Sequence, residues 1–285
     1  MKKYRYLFVS FLLPLLLSTG FWENDPGNEV EDKAGPEDEL QLCSPHHHSF
    51  IDREKVSYKV YYNWNFVWIP AGEATFTVSE SEDQYYFKAE GSSYPSYDWF
   101  LQVHDVYESK VRKSDLKPVW SRRQVAEGRH RLYHEHFIDY ETGTARSIRG
   151  KSAEDAKEKI IAVGDCFQDI LSSIYFLRNS GIHTFEKGEK LPVNLFIDDT
   201  TYQVKVKYLG DAGRKKIKGL GKVKVQRIIP DLLTGSVFRA EDEMNVWVSN
   251  DDNRLPVMVE SPITVGSVKV FLTNYENLIE PLDLK

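Results

Sequence analysis

The chain has 285 residues, a formal net charge of −6, 41% hydrophobic residues and 13% aromatic residues. This length suits two average domains or one large all-β domain, and the apolar content excludes a wholly disordered chain. Beyond residues 7–17 there is no long uncharged apolar run, which excludes a helical multi-span membrane protein. The charge is concentrated at the start: residues 1–20 carry Lys2, Lys3 and Arg5 without an acid, and residues 21–40 carry eight acids against Lys33. The remaining body is near neutral and lacks the basic excess that phosphate binding requires, so nucleic acid is not an expected partner.

In MKKYRYLFVSFLLPLLLSTG a positive segment precedes eleven mostly apolar residues and then Ser18-Thr19-Gly20. This pattern predicts a secretory signal peptide over residues 1–20, with no cysteine placed for lipid attachment. Residues 21–42 are acidic, contain Pro and Gly and show no apolar period, as expected of a solvated tether. A single domain is expected over residues 43–285. The chain has two cysteines, Cys43 and Cys166, and an oxidising compartment predicts that they pair.

From Ser57 to Ile69 the residues Val60, Tyr62, Trp64, Phe66 and Trp68 share one parity, the period of a strand. After Pro70-Ala71-Gly72, the residues Ala74, Phe76 and Val78 alternate with polar neighbours, and Tyr85, Phe87 and Ala89 continue the pattern. Further strand-like runs lie at 105–113, 118–126, 130–140 and 143–149. A second series follows through Val193–Ile197, Tyr202–Tyr208, Val223–Ile229, Met244–Val248 and Val268–Leu272. About a dozen antiparallel strands must curl to cover their apolar face, so the expected class is mainly β, a curled sheet or half-barrel. One segment departs from this period. In residues 166–181, Phe167, Ile170, Leu171, Ile174 and Tyr175 recur at helical spacing between Asp165 and Gly181, which predicts an amphipathic helix packed on the concave face.

Three blocks, in order, carry a resemblance: Ala71-Gly72-Glu73-Ala74 after the aromatic strand; Asp169, Leu171, Ser172, Tyr175 and Arg178 on the helix; and Trp247, Ser249, Asp251 and Pro256. Over about residues 50–275 the chain resembles the domain-of-unknown-function 3108 family of exported bacterial proteins. The resemblance implies an export-compartment β domain and, more distantly, a half-barrel similar to the lipoprotein-localisation factors LolA and LolB, which shelter acyl chains. The family has no established catalytic residues to carry over.

The candidate cavity-lining residues are Tyr62, Trp64, Phe66, Trp68, Phe76, Phe167, Ile170 and Ile174, because a roomy apolar concavity is what an acyl chain requires; ordinary core packing is the alternative. His130, His134 and His136 share a strand parity that could present imidazoles to a metal, and His46-His47-His48 could do the same near Cys43. Neither has a full ligand set at fixed spacing, and no metal or cofactor is expected. Asp251, Asp252 and Asn253 read as a hairpin turn rather than a calcium loop, since the following Gly and bidentate Glu are missing. Glu73 and Asp169 are the candidate buried acids, with Arg178 as a partner in a structural ion pair. No hydrolase, nucleotide or zincin motif is present. The expectation is a non-catalytic exported protein of the periplasm or outer-membrane surface that binds a lipid or another apolar or amphipathic ligand. The alternative is an envelope assembly protein that binds a protein partner through its edges and has no cavity.

Overall fold

The computed structural model describes residues 45, 47–64, 67–97, 102–231, 243–262 and 266–285. The predicted signal peptide and tether, Cys43, His46 and Phe66 lie outside the described residues, and nothing is described of the Trp64 side chain.

Alternating apolar and polar positions build two antiparallel meanders. The first comprises β1 (Lys55–Trp64), β2 (Val67–Glu80), β3 (Gln84–Ser93), β4 (Val103–Arg112), β5 (Pro118–Glu127), β6 (His130–Asp139), β7 (Thr144–Gly150) and β8 (Lys157–Ala162). The second comprises β9 (Lys190–Ile197), β10 (Thr200–Ile217), β11 (Gly221–Pro230), β12 (Asn245–Ser249), β13 (Pro256–Pro262) and β14 (Ser267–Glu276). Pairing of β1 with β14 joins them into one sheet of 14 strands, ordered β8-β7-β6-β5-β4-β3-β2-β1-β14-β13-β12-β11-β10-β9. The sheet is curled but not closed into a barrel, since β8 and β9 stand at opposite ends of this order. The helix α1 (Ile170–Asn179) connects the two meanders.

The helix is shorter than the sequence pattern and is capped differently. Asp169, not Asp165, is the N-cap: its Oδ1 accepts from the backbone N–H groups of Leu171 at 2.8 Å and Ser172 at 3.0 Å, and the Ser172 hydroxyl takes the reciprocal bond from the Asp169 N–H at 2.9 Å. This capping box satisfies orphan donors that would otherwise be buried. Ser180 is the C-cap, and Gly181 follows at φ 75°. Beyond its apolar stripe the helix also buries polar residues: Ser172, Ser173, Arg178 and Asn179 are buried along with Leu171, Tyr175 and Phe176. It fills the sheet's concavity on nearly all sides, as a buried helix does. Its main anchor is aromatic. Tyr175 stacks on Phe87 of β3 with centroids 3.8 Å apart, and Phe50 meets both rings edge-on at 5.3 Å.

The predicted strand Ser57–Ile69 is a hairpin. Within that run β1 and β2 already lie opposite each other: Trp64 pairs with Val67 and Asn63 with Trp68. The reversal breaks the expected common parity. Tyr62 pairs with Ile69 on the inner face, whereas Trp68 sits with Asn63 on the opposite face, where the Lys269 ammonium lies 4.4 Å from its ring centroid. Gly72, in the Ala-Gly-Glu-Ala block, is required by close approach: a Cβ there would lie 2.3 Å from the Ser92 carbonyl oxygen.

Candidate ligand-binding site

Between α1 and the inner faces of β11, β12 and β13 lies a cavity of about 100 Å³. Register explains its wall: Ile228 pairs with Val246, and Val246 pairs with Val259, so three aliphatic side chains form one row across three strands. Ile174 and Leu177, one turn apart on α1, face that row, and Met244, Ile182, Val248, Pro230 and Pro256 complete the apolar lining. The polar lining is Ser173, Arg178, His183, Gln226 and Arg254.

Most of these polar groups are committed elsewhere. The Ser173 hydroxyl donates to the Ile170 carbonyl at 2.8 Å, and the Gln226 amide donates to Asn250 Oδ1 at 2.7 Å. Arg178 is buried and forms a two-pronged ion pair with buried Glu54 at 2.6 and 2.7 Å; it also donates to the Asn253 carbonyl at 3.0 Å and to the Ser49 carbonyl. Burial alone would lower the Arg178 pKa, but the Glu54 carboxylate outweighs it and holds the guanidinium above its ordinary value. The ion pair predicted for Arg178 thus forms with Glu54 and not with Glu73, which is exposed, or Asp169, which caps the helix. Burial pushes the Asp169 carboxyl up, against hydrogen bonds from Ser109 at 2.5 Å and from the helix N–H groups.

Arg254 and His183 close one end of the cavity. Arg254 donates to Ser49 Oγ at 2.9 Å and meets His183 Nε2 at 3.3 Å; its nearest carboxylate, on exposed Asp252, is 3.6 Å away. A guanidinium can only donate, so His183 Nε2 accepts and the ring proton sits on Nδ1. That buried Nδ1 has no hydrogen-bond partner. Burial, then the neighbouring Arg254 and His47, lower the His183 pKa to about 4, which keeps the ring neutral.

Of the eight residues proposed from sequence, Ile174 lines this cavity. Phe76 is buried against Tyr58, and Tyr62 is half-buried against the main core. Phe167 lies before the helix in a separate small cluster with Phe196 and Ala145, and Ile170 is buried beside them at a gap of about 10 Å³. Phe66 lies outside the described residues. Of the aliphatic row, Val246 belonged to a run of alternation in the sequence, Ile228 lay on the opposite parity from Val223, Val225 and Ile229, and Val259 sits in β13, which no predicted run covered; their common purpose needs the pairing register. His183 and Arg254 carried no spacing signal at all.

A second cluster gathers the strand histidines. In β6, His134 and His136 point inward and are buried, and the β9–β10 turn brings Asp198 and Asp199 onto them. Asp199 Oδ1 accepts from His134 Nε2 at 3.1 Å and from His136 Nε2 at 2.9 Å, while Lys159 of β8 reaches its other oxygen at 3.0 Å. Asp198 pairs with Arg123 of β5 at 2.6 Å and Arg149 of β7 at 3.0 Å. Burial alone would raise both aspartates, but the facing Arg123 and Arg149 at Asp198, and the two imidazoles at Asp199, hold them well below the usual carboxylate range. His130, the third histidine of the run, is exposed. His134, His136 and Asp199 have three ligand-type atoms within 4.8 Å of one another. Metal binding would move the His134 proton to Nδ1, which already accepts from Arg123 at 3.0 Å, and would add charge beside Arg123, Arg149 and Lys159. The donor set suits a hydrogen-bonded clasp between the two ends of the sheet.

Two other sequence motifs resolve simply. The His47 ring lies 4.7 Å from that of His183 at a tilt of 60°, and His48 meets the Tyr85 hydroxyl at 3.0 Å, so these two have separate surroundings. Asp251 Oδ1 accepts from the Ser249 hydroxyl and the Asn253 N–H at 2.7 and 3.1 Å, closing the turn between β12 and β13.

No curated protein matches the chain. Among solved structures it is similar to a beta-barrel-like protein of domain of unknown function DUF1849 from Brucella abortus, at 9% identity and a TM-score of 0.53, over 81% of this chain and 99% of that one. At that identity the likeness concerns the fold alone. The model of the family described as protein of unknown function (DUF3108) matches residues 57–273, most of the sequence, and the chain belongs to that family.

Proposed function

We propose that this is a non-catalytic exported protein of the cell envelope that holds an apolar or amphipathic small molecule between α1 and the inner face of β11–β13. The observation that carries the reading is the aliphatic cavity of about 100 Å³. Elsewhere α1 packs closely against the sheet, with a Tyr175–Phe87 stack at 3.8 Å, so the unfilled volume is a local feature. An apolar wall with a few placed polar groups is the usual make-up of a small-molecule site. An apolar cavity of about 150 Å³ takes benzene, so this volume suits the end of an aliphatic chain. The signal-type N-terminus supports a compartment outside the cytoplasm.

Native mass spectrometry of the signal-free protein, followed by organic extraction, tests the reading. A stoichiometric apolar adduct that Val246→Trp eliminates without loss of fold is the expected result. A clean apoprotein that takes up no fluorescent fatty acid would refute it and favour the assembly-protein reading. That second reading has its own observation: β8 is an edge strand with Ile160 62% exposed, a template for strand addition by a partner. Cross-linking from position 160 would capture such a partner.

A further inference from the structure

The outer face of the first meander carries a larger and chemically different recess. Pairing sets Ser79, Tyr86, Lys110 and Trp120 in one row across β2–β5, and Glu108 and Arg122 side by side in the next row. Their chain neighbours Phe87, Val111 and Ser121 are buried on the inner face, so these two rows look outward. Among them lies an open groove of about 490 Å³, within the size range of small-molecule sites. We infer that this groove binds a neutral saccharide, with Tyr86 and Trp120 as its ring walls and Glu108, Lys110, Arg122 and Gln84 as partners for the hydroxyls. The inference is independent of the apolar cavity beside α1.

Both rings are tied down by hydrogen bonds. Trp120 Nε1 donates to Glu135 Oε1 at 2.8 Å, and the Tyr133 hydroxyl holds the other Glu135 oxygen at 2.7 Å. The Tyr86 hydroxyl donates to Glu108 Oε1, while Arg122 Nε donates to Glu108 Oε2 at 2.6 Å. Burial, then the bond to Glu108, raises the Tyr86 pKa, so the phenol keeps its proton and its oxygen is left to accept. Lys110 and Gln84 have side-chain donors to spare: among the described residues neither side chain has a hydrogen bond or ion pair, and the Lys110 ammonium lies 5.3 Å from the centroid of the Trp120 ring. Charge balance then selects the guest. Glu108 is neutralised by Arg122, and Glu80, at the rim, by Lys113 at 2.9 Å. An anion would face Glu80 and Glu108, a cation would face Lys110 and Arg122, and an apolar guest would strip water from all four. A saccharide suits each surface. Its hydroxyls both donate and accept, and its weakly positive C–H face lies well on the negative face of an aromatic ring.

The test is saturation-transfer NMR of the signal-free protein with maltose, cellobiose and diacetylchitobiose, and with glucuronate, glucosamine and acetyl-tetraglycine amide as controls. A neutral disaccharide is expected to bind at least about tenfold more tightly than every control, with the strongest transfer at its ring C–H protons. Lys110→Met, at an exposed side chain, is expected to weaken that binding about tenfold, the worth of a charge-assisted hydrogen bond. Trp120→Ala is expected to weaken it about twofold to tenfold, and Trp120→Phe, which keeps a ring, to restore it. Val246→Trp, in the apolar cavity, is expected to change nothing. No transfer to any disaccharide, or a control bound as tightly, would overturn the inference while the cavity reading stands. Binding that persists unchanged in folded Lys110→Met and Trp120→Ala would place the sugar elsewhere and overturn it too; if Trp120→Ala fails to fold, Lys110→Met decides alone.

Discussion

Arg178→Met removes a cation at the point where three separate segments meet. Arg178 lies in the last turn of α1, Glu54 and Ser49 come from the segment before β1, and Asn253 comes from the β12–β13 turn. The substitution conserves most of the side-chain length but leaves the Glu54 carboxylate, 1% exposed, without its counter-charge, and strips donors from two carbonyls. Breaking a buried pair from one side costs about 3–5 kcal/mol, because the surviving charge stays desolvated. For a domain of this size each kcal/mol moves Tm by about 2–4 °C, so the expected fall is about 6–20 °C. Urea denaturation with fluorescence detection gives the free energy directly, and adding Glu54→Leu completes a double-mutant cycle. The double variant is expected to recover much of the loss, since it removes the stranded charge. A loss under about 1 kcal/mol in Arg178→Met alone would refute the reasoning and show that water reaches Glu54.

Acid should loosen the clasp. His136 is held neutral by burial, with a pKa lowered to about 4, while the unfolded chain titrates near 6.5. Between those values the unfolded state binds more protons, so stability is fully present above about pH 6.5 and falls by about 3 kcal/mol as the pH drops towards 4. Asp198 and Asp199, depressed in the fold, extend the loss at lower pH. A flat Tm between pH 7 and 4.5, or a slope unchanged in His136→Phe, would contradict this. Gly72→Ala should cost about 1–3 kcal/mol, because the Ser92 carbonyl 2.3 Å from the added carbon must move; an unchanged urea midpoint would exclude that contact. Alkylation of the secreted protein under denaturing, non-reducing conditions should modify no thiol if Cys43 and Cys166 are bridged, and two modified cysteines would dismiss the bridge.

The class of fold was legible because the second meander and β1–β4 keep apolar residues on one face, and period two survives any uncertainty about register. In β5–β7 the inward face is mixed, with polar residues beside Val125, Leu132 and Ala145. There Ser121, Arg123, His134, His136 and Ser147 point inward, while Trp120 and Phe137 lie on the outer face. A reading that equates apolar with inward leaves the side of these strands undecided, since apolar residues stand on both faces. The polar side chains can be buried only because Asp198 and Asp199, more than 60 positions away from the histidines, satisfy them. The edge strand β8, Lys-Glu-Lys-Ile-Ile-Ala, was not visible either, since its exposed residues have no alternation to detect. The helix was found by spacing, but its amphipathic reading missed that Ser172, Ser173 and Asn179 would also be buried. The cavity failed to appear because it is made by cross-strand neighbours and by one helix face, a relation that no local window contains.

The clasp also explains an otherwise costly turn. A two-residue hairpin loop of type I′ requires positive φ at both positions and favours Asn-Gly or Asp-Gly. Here both positions are aspartates, at φ 51° and 66°, each a conformation that disfavours a non-glycine residue. Asp199→Gly would relieve that strain, yet it would also remove the acceptor shared by His134 and His136 and the partner of Lys159. The two effects oppose each other. Strain at one residue is of order 1–3 kcal/mol, whereas leaving two buried imidazole donors unpaired costs about 1–3 kcal/mol for each, so the substitution is expected to destabilise. The sheet's ends are thus held by side chains where a closed barrel would use a backbone ladder. That arrangement leaves β8 as an edge strand.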